Sequence, residues 1–194
     1  AVPFAAETDR TGYTASRDTY FLADEPYSEP ILTFEAWVNI PNRIVGSFSR
    51  MTILSTYGWY NDTLSFCVTK EGYPCIVYSD SEGTVQYNFK DGDVREEKWM
   101  HMAITIDAEA KIAYAYVNGE LVGERKIDFD PLKTYSTPYM MANDSTSAKI
   151  YAFRGQLGSV TVYSDMRTAD EIVADMNSDT PDTDNLIAHY DLSG

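Results

Sequence analysis

An antiparallel two-sheet β-sandwich carrying one short C-terminal helix is the fold this sequence predicts, and three observations lead to it. About ten short segments alternate apolar and polar side chains with the two-residue period of a strand, and turn residues separate them. Fifteen Tyr, eight Phe and three Trp raise the aromatic share to 13%, and such side chains fit the pleated, half-buried surface of a sheet. Only one segment has a helix-start signature, and no strand–helix–strand alternation of the nucleotide-binding kind occurs. The 194 residues suit a single sandwich that buries its core without staples.

The first thirty residues are polar and irregular, broken by Pro3, Pro26 and Pro30, with one short strand expected at 18–22. Ile31 to Ile40 is the first strong strand: Leu32, Phe34, Ala36 and Val38 alternate with Thr33, Glu35, Trp37 and Asn39. Strands follow at 51–57, 62–69, 75–78 and 85–89. Met100, Met102, Ile104 and Ile106 alternate with His101, Ala103, Thr105 and Asp107, which predicts a half-buried strand. The segment 111–117 runs into Asn118-Gly119, a favoured hairpin dipeptide, and 120–126 returns. A last strand is expected at 157–163. Thr168-Ala169-Asp170-Glu171 is a capping box, and Ile172 and Met176 then share one helix face that can dock on the sandwich.

These boundaries place the sandwich within 1–177. Residues 178–184 are short, polar, acidic and interrupted by Pro181, and read as a linker. Residues 185–194 read either as a closing strand or as the start of a following domain. Ala1 fits equally the residue after a removed leader or the edge of an excised fragment.

Thirty acidic residues against fifteen basic ones give a net charge of −15. Such a surface repels nucleic-acid backbones and anionic lipid, and no stretch approaches the ~20 apolar residues of a membrane span. It tolerates neutral ligands, and it makes calcium, which takes oxygen ligands, the one candidate cofactor. Cys67 and Cys75 flank a turn at Glu71-Gly72. They lie opposite each other if that turn holds an odd number of residues, either as a short cross-strand disulfide or as two half-buried thiols.

Four stretches in order resemble landmarks of a known family: LTFEAWVNIP at 32–41, EKWMHMAITID at 97–107, AYVNGELV at 115–122 and FRGQLGSVTVYSDMRTADEI at 153–172. Together they resemble the laminin G-like members of the concanavalin A-like lectin/glucanase superfamily. The resemblance implies a jelly roll with one concave sheet, a secreted or cell-surface bacterial protein, frequent attachment to glycoside hydrolases, sialidases or adhesins, and sugar binding in many members. It also places Trp37 and Trp99 at core positions. Where many relatives carry an acidic pair after the glycine-led strand, this chain has Gly158 and Ser159. The calcium site some relatives hold there is therefore not carried over.

Glycoside hydrolysis needs two carboxylates flanking the bond. The alternating carboxylates that enzymatic relatives place on one strand do not occur here, and the acidic pairs Asp91/Asp93, Glu96/Glu97 and Asp182/Asp184 fall in turns or linkers. His101 and His189 are the only histidines, and His101 reads as a packing residue. The best binding candidate is Tyr57-Gly58-Trp59-Tyr60-Asn61-Asp62, where aromatic faces for a sugar ring adjoin amide and carboxylate groups for its hydroxyls. Tyr135 and Tyr139 are secondary candidates, and Asn143 and Asp144 are the weak candidates for calcium. Asn61 and Asn143 also begin glycosylation-type triplets. The expected function is a non-catalytic, lectin-like accessory module whose partners are a glycan and the neighbouring domains of a larger protein. A protein-interaction or adhesion module, a spacer beside a catalytic domain, and a divergent glycoside hydrolase are the alternatives.

Overall fold

The computed structural model describes residues 10, 12–15, 21–22, 29–56, 63–129, 139–141 and 151–192, with the backbone alone for 15, 21–22, 56 and 139–141. Its centre is β3 (Ile31–Asn39), whose alternating pattern sends Leu32, Phe34, Ala36 and Val38 into the main core. It pairs with β8 (Trp99–Asp107) on one side and β12 (Gly155–Tyr163) on the other, both antiparallel. Outward lie β9 (Ile112–Val117) and β10 (Glu120–Lys126), joined by the Asn118-Gly119 turn. Both turn residues have positive φ, 50° and 81°, which matches the twist of the flanking strands. The other edge of β12 is shared: β1 (Tyr13–Ala15) covers its first residues and β13 (Leu186–Asp191) its last ones.

The second sheet runs in the order β2 (Phe21–Leu22), β11 (Tyr139–Met141), β4 (Arg50–Thr56), β5 (Thr63–Thr69), β6 (Pro74–Asp80) and β7 (Gly83–Asn88). Its inner residues Met51, Leu54, Leu64, Phe66, Ile76 and Tyr78 meet those of the first sheet. The Phe34 and Phe66 rings stack across the gap with centroids 5.5 Å apart. Each such aromatic removes apolar surface worth ~2–3 kcal/mol from water.

The expected half-buried strand is buried on both faces. On β8, His101, Ala103 and Thr105 point away from the core yet are 3%, 0% and 0% exposed. The reason is α1 (Ala169–Met176), which folds over the outer face of the first sheet. Its Ile172 and Met176 pack with Trp37, Trp99 and Ala103 in a second apolar cluster. The capping box forms: Glu171 N–H donates to Thr168 Oγ1 at 3.2 Å and Thr168 N–H donates to Glu171 Oε1 at 3.1 Å. Both tryptophans are thus buried, but under the helix rather than between the sheets.

Gly155 begins β12 with φ of 137°, and a methyl group there would run into the carbonyl oxygen of Asn39 on β3. Gly155→Ala is expected to lower the unfolding free energy by about 3 kcal/mol, measured by urea denaturation, with no change in the native circular dichroism.

Candidate functional site

The 57–62 segment singled out above connects β4, which ends at Thr56, to β5, which begins at Thr63. Its residues Tyr57, Trp59, Tyr60, Asn61 and Asp62 lie outside the described residues, as do Tyr135, Asn143 and Asp144. Tyr139, the first residue of β11, is registered opposite Thr56, and Thr63 is registered opposite Ser79. The end of β4, the start of β5 and Tyr139 therefore share one end of the second sheet.

At that end the outward-facing side chains are polar. Ser79 on β6 and Thr84 on β7 are registered partners with their hydroxyl oxygens 2.8 Å apart. Further along β7, Gln86 Nε2 donates to Asn88 Oδ1 at 2.8 Å. Thr63, Ser79, Thr84, Gln86 and Asn88 are all at least partly accessible. Deeper on the same face, Ser65, Cys67, Cys75 and Val77 are 4%, 0%, 0% and 2% exposed, so the accessible polar side chains of this face lie around its margin. Sequence reading missed this rim, although the period-2 alternation of 75–79 and 84–88 contains it. The register places Cys67 opposite Cys75, and both are free thiols. Burial, reinforced by the adjacent Cys67, pushes the Cys75 thiol well up and keeps it unreactive.

A second constellation lies on the outer face of the first sheet. Glu35 on β3, Thr161 on β12 and His189 on β13 stand in one register row, and His101 on β8 approaches Glu35 diagonally. His101 Nε2 is 3.4 Å from Glu35 Oε1, and Thr161 Oγ1 is 2.8 Å from His189 Nδ1. Above this row, Arg167 (3% exposed) donates to both oxygens of Asp175 at 2.9 and 2.6 Å and to Glu171 at 3.1 Å and Asp182 at 3.4 Å. Its backbone N–H donates to Thr33 Oγ1, and its guanidinium lies over the Tyr163 ring at 4.2 Å. One arginine thereby joins β3, β12, α1 and the segment leading to β13.

Burial decides the protonation of this cluster. It raises the Glu35 carboxyl well above its usual range, with Asp175 adding to the rise and Arg167 opposing it. It lowers His101 to about 3, helped by the positive charge of Arg10. Burial also works against charge on Arg167, but Asp175 and its neighbours overcome that and hold it firmly protonated. Burial therefore disfavours the charged form of both members of the Glu35–His101 pair. The carboxyl pair that does come together here, Glu35 and Asp175, sits beneath a helix, with Asp175 engaged by Arg167. Among the described residues, no group of three or more His, Cys, Asp or Glu side chains could hold a metal ion, and no helix is long and apolar enough to cross a membrane.

Comparison with known proteins places this architecture. A family model for the concanavalin A-like lectin/glucanases superfamily matches residues 12–173. No curated protein sequence matches the chain. Among solved structures, a Bacteroides ovatus protein described as a candidate carbohydrate-binding protein superposes with a TM-score of 0.69 at 18% identity, covering 95% of this chain and 52% of its own. The present chain thus spans about half the length of that relative. The CBM40 module of a Ruminococcus gnavus sialidase superposes with a TM-score of 0.62 at 15% identity, over 88% of this chain and 98% of its own, and has also been solved bound to α2,3-sialyllactose. Domain 4 of an extracellular Geobacillus stearothermophilus arabinanase, solved with arabinotriose, gives 0.57 at 14% identity over 76% of this chain and 67% of its own. Likeness at these identities shows a shared fold.

The buried pair has a pH signature. Between about 3 and 6.5 the unfolded chain protonates His101 and the native one does not, so this histidine makes stability rise with pH. Above about 4.5 the unfolded chain ionises Glu35 while the native chain keeps the proton, so Glu35 makes stability fall with pH. The two slopes, each up to ~1.4 kcal/mol per pH unit, oppose one another between those limits. Glu35→Gln removes the second. Its stability relative to the parent chain is expected to grow as pH rises above about 4.5, measured by denaturant titration at several pH values; a pH-independent difference would be inconsistent with a buried, protonated Glu35.

Proposed function

We propose that this chain, which belongs to the concanavalin A-like lectin/glucanases superfamily, is a non-catalytic carbohydrate-binding module acting within a larger secreted or cell-surface protein. The observation that carries the reading is the polar rim at one end of the second sheet. There Thr63, Ser79 and Thr84 stand where β4 ends and β5 begins, with Tyr139 registered at the same end, and Gln86 and Asn88 continue the polar row along the edge strand β7. In this reading Trp59, with Tyr57 and Tyr60, stacks on the apolar face of a sugar ring. Asn61, Asp62 and the rim amides and hydroxyls then select its hydroxyl groups. Tyr135 and Tyr139 extend the aromatic surface.

The similar sugar-bound modules support this class of ligand. A module of this kind raises the local concentration of an attached enzyme on its glycan, an effective-concentration effect that works even at weak affinity. The non-catalytic reading is supported by the fate of the Glu35–Asp175 pair, which lies under α1 and away from the rim. The acidic surface suits a neutral glycan or one presented with cations, and disfavours nucleic acid and anionic membranes as partners. Calcium remains a candidate only through Asn143 and Asp144, because Gly158 and Ser159 stand where relatives carry an acidic pair. The exposed large apolar side chains among the described residues are Val45, Val85 and Leu121, on three separate segments. They give a protein-interaction reading no contiguous patch to rest on.

A glycan-array screen of the parent chain beside Trp59→Ala, with and without calcium, checks the proposal. Binding to at least one glycan class is expected, weakened about tenfold or more by the substitution and unchanged by calcium. Binding that is equal in both proteins would move the site away from 57–62. Absence of binding across the array would overturn the carbohydrate reading.

A further inference from the structure

The constellation on the first sheet encloses a cavity of about 210 Å³, room for several waters or one small organic molecule. Glu35, Thr161 and His189 form its floor; Asp175 and residues 178–181 close it from above; Arg10, Asp179 and Asp191 stand around it. It lies on the opposite sheet from the proposed glycan rim and is independent of that reading.

Three features describe what fits. Glu35 is 3% exposed; it shares a hydrogen bond with the Asp175 carboxyl, but neither of its own oxygens accepts one from a nitrogen or hydroxyl donor with good geometry. A buried acceptor left so costs ~1–3 kcal/mol, which an arriving donor recovers. Among the described residues the ionisable lining is acidic in excess: Asp179 and Asp191 face Arg10, Asp175 is matched by Arg167, and burial disfavours charge on His101 and His189. The wall already accepts an organic cation, because the Arg10 guanidinium packs on the Trp37 ring at 3.7 Å. The acids repel an anion, the polar lining disfavours an apolar guest, and the oxygen donors do not converge as a metal requires.

We propose that this cavity binds a compact organic cation, a primary amine whose ammonium group meets the Glu35 carboxyl at the floor of the pocket. On binding, the ammonium group donates to the Glu35 oxygens, and the proton that Glu35 held in the empty pocket leaves to solvent, giving a carboxylate–ammonium pair. The groups facing Glu35 are His101 from β8, Thr161 and Tyr163 from β12, Asp175 from α1, and Asp165 and Arg167 from the turn before it. Among these, the remaining carboxylates reinforce the preference for a cation, and Arg167 is already held by Asp175.

The test titrates the intact chain with ethanolamine and with 1,4-diaminobutane, using ethylene glycol as the neutral counterpart. Tryptophan fluorescence and the histidine ring resonances are followed, and calorimetry in two buffers of different ionisation enthalpy counts protons. Saturable amine binding with release of about one proton is expected, with no response to ethylene glycol. Glu35→Gln, which keeps the shape and the neutral state of the side chain, is expected to weaken amine binding about tenfold or more. Should that variant fail to fold, Asp179→Asn at the rim carries the same test, with a weakening of about threefold expected. Absence of a saturable response to either amine, equal binding of ethylene glycol, no proton release, or undiminished binding by the variant would each overturn the proposal.

Discussion

The structure depends on one strand buried on both faces. β3 lies between β8 and β12, and seven of its nine residues are buried. Its even-numbered side chains face the second sheet and build the main core. Its odd-numbered ones, Thr33, Glu35 and Trp37, point the other way and require a cover. α1 supplies it, and Arg167 fastens that cover by bonding Thr33 through its backbone and Asp175, Glu171 and Asp182 through its guanidinium. A buried arginine is costly unless fully paired. Here its partners come from the helix and from the segment leading to β13, so the helix, the tail and the sheet are held as one arrangement.

That arrangement gives the two sheets different outer faces. With the first sheet roofed by α1, an extended chain of sugar residues cannot lie across its outer face. The margin of the opposite sheet presents accessible hydroxyl and amide groups at Thr63, Ser79, Thr84, Gln86 and Asn88, and no described helix lies over them. The two faces also differ in chemistry. The rim offers neutral donors and acceptors suited to sugar hydroxyls, whereas the roofed cavity is acidic and narrow.

Much of the fold was legible in the sequence. The alternation in β3 and β8, the Asn118-Gly119 turn and the Thr168–Glu171 capping box are local signals, and local signals survive reading without a structure. The burial of His101 and Thr105 was not legible, because the cover comes from a helix more than sixty residues away in the chain. Arg167 and its acids were missed for a related reason. Asp175 and Asp182 are eight and fifteen residues distant, and only the folding of 178–185 back over the sheet brings Asp182 near. Glu35 resembled any outward strand residue until its surroundings showed it buried. The aromatic-rich 57–62 segment lies outside the described residues. Alternation alone did not mark Ser79, Thr84, Gln86 and Asn88, since it identifies two faces without telling which one meets a ligand.

The proposed division of the molecule into a glycan-binding rim and a roofed sheet is tested most directly by backbone amide shift mapping during titration with oligosaccharides, beginning with α2,3-sialyllactose and arabinotriose. The expected result is perturbation of Thr63, Ser79, Thr84, Gln86 and Asn88, with Glu35, Trp37 and His101 unmoved. Perturbation confined to Glu35, Trp37 and His101 would contradict the account.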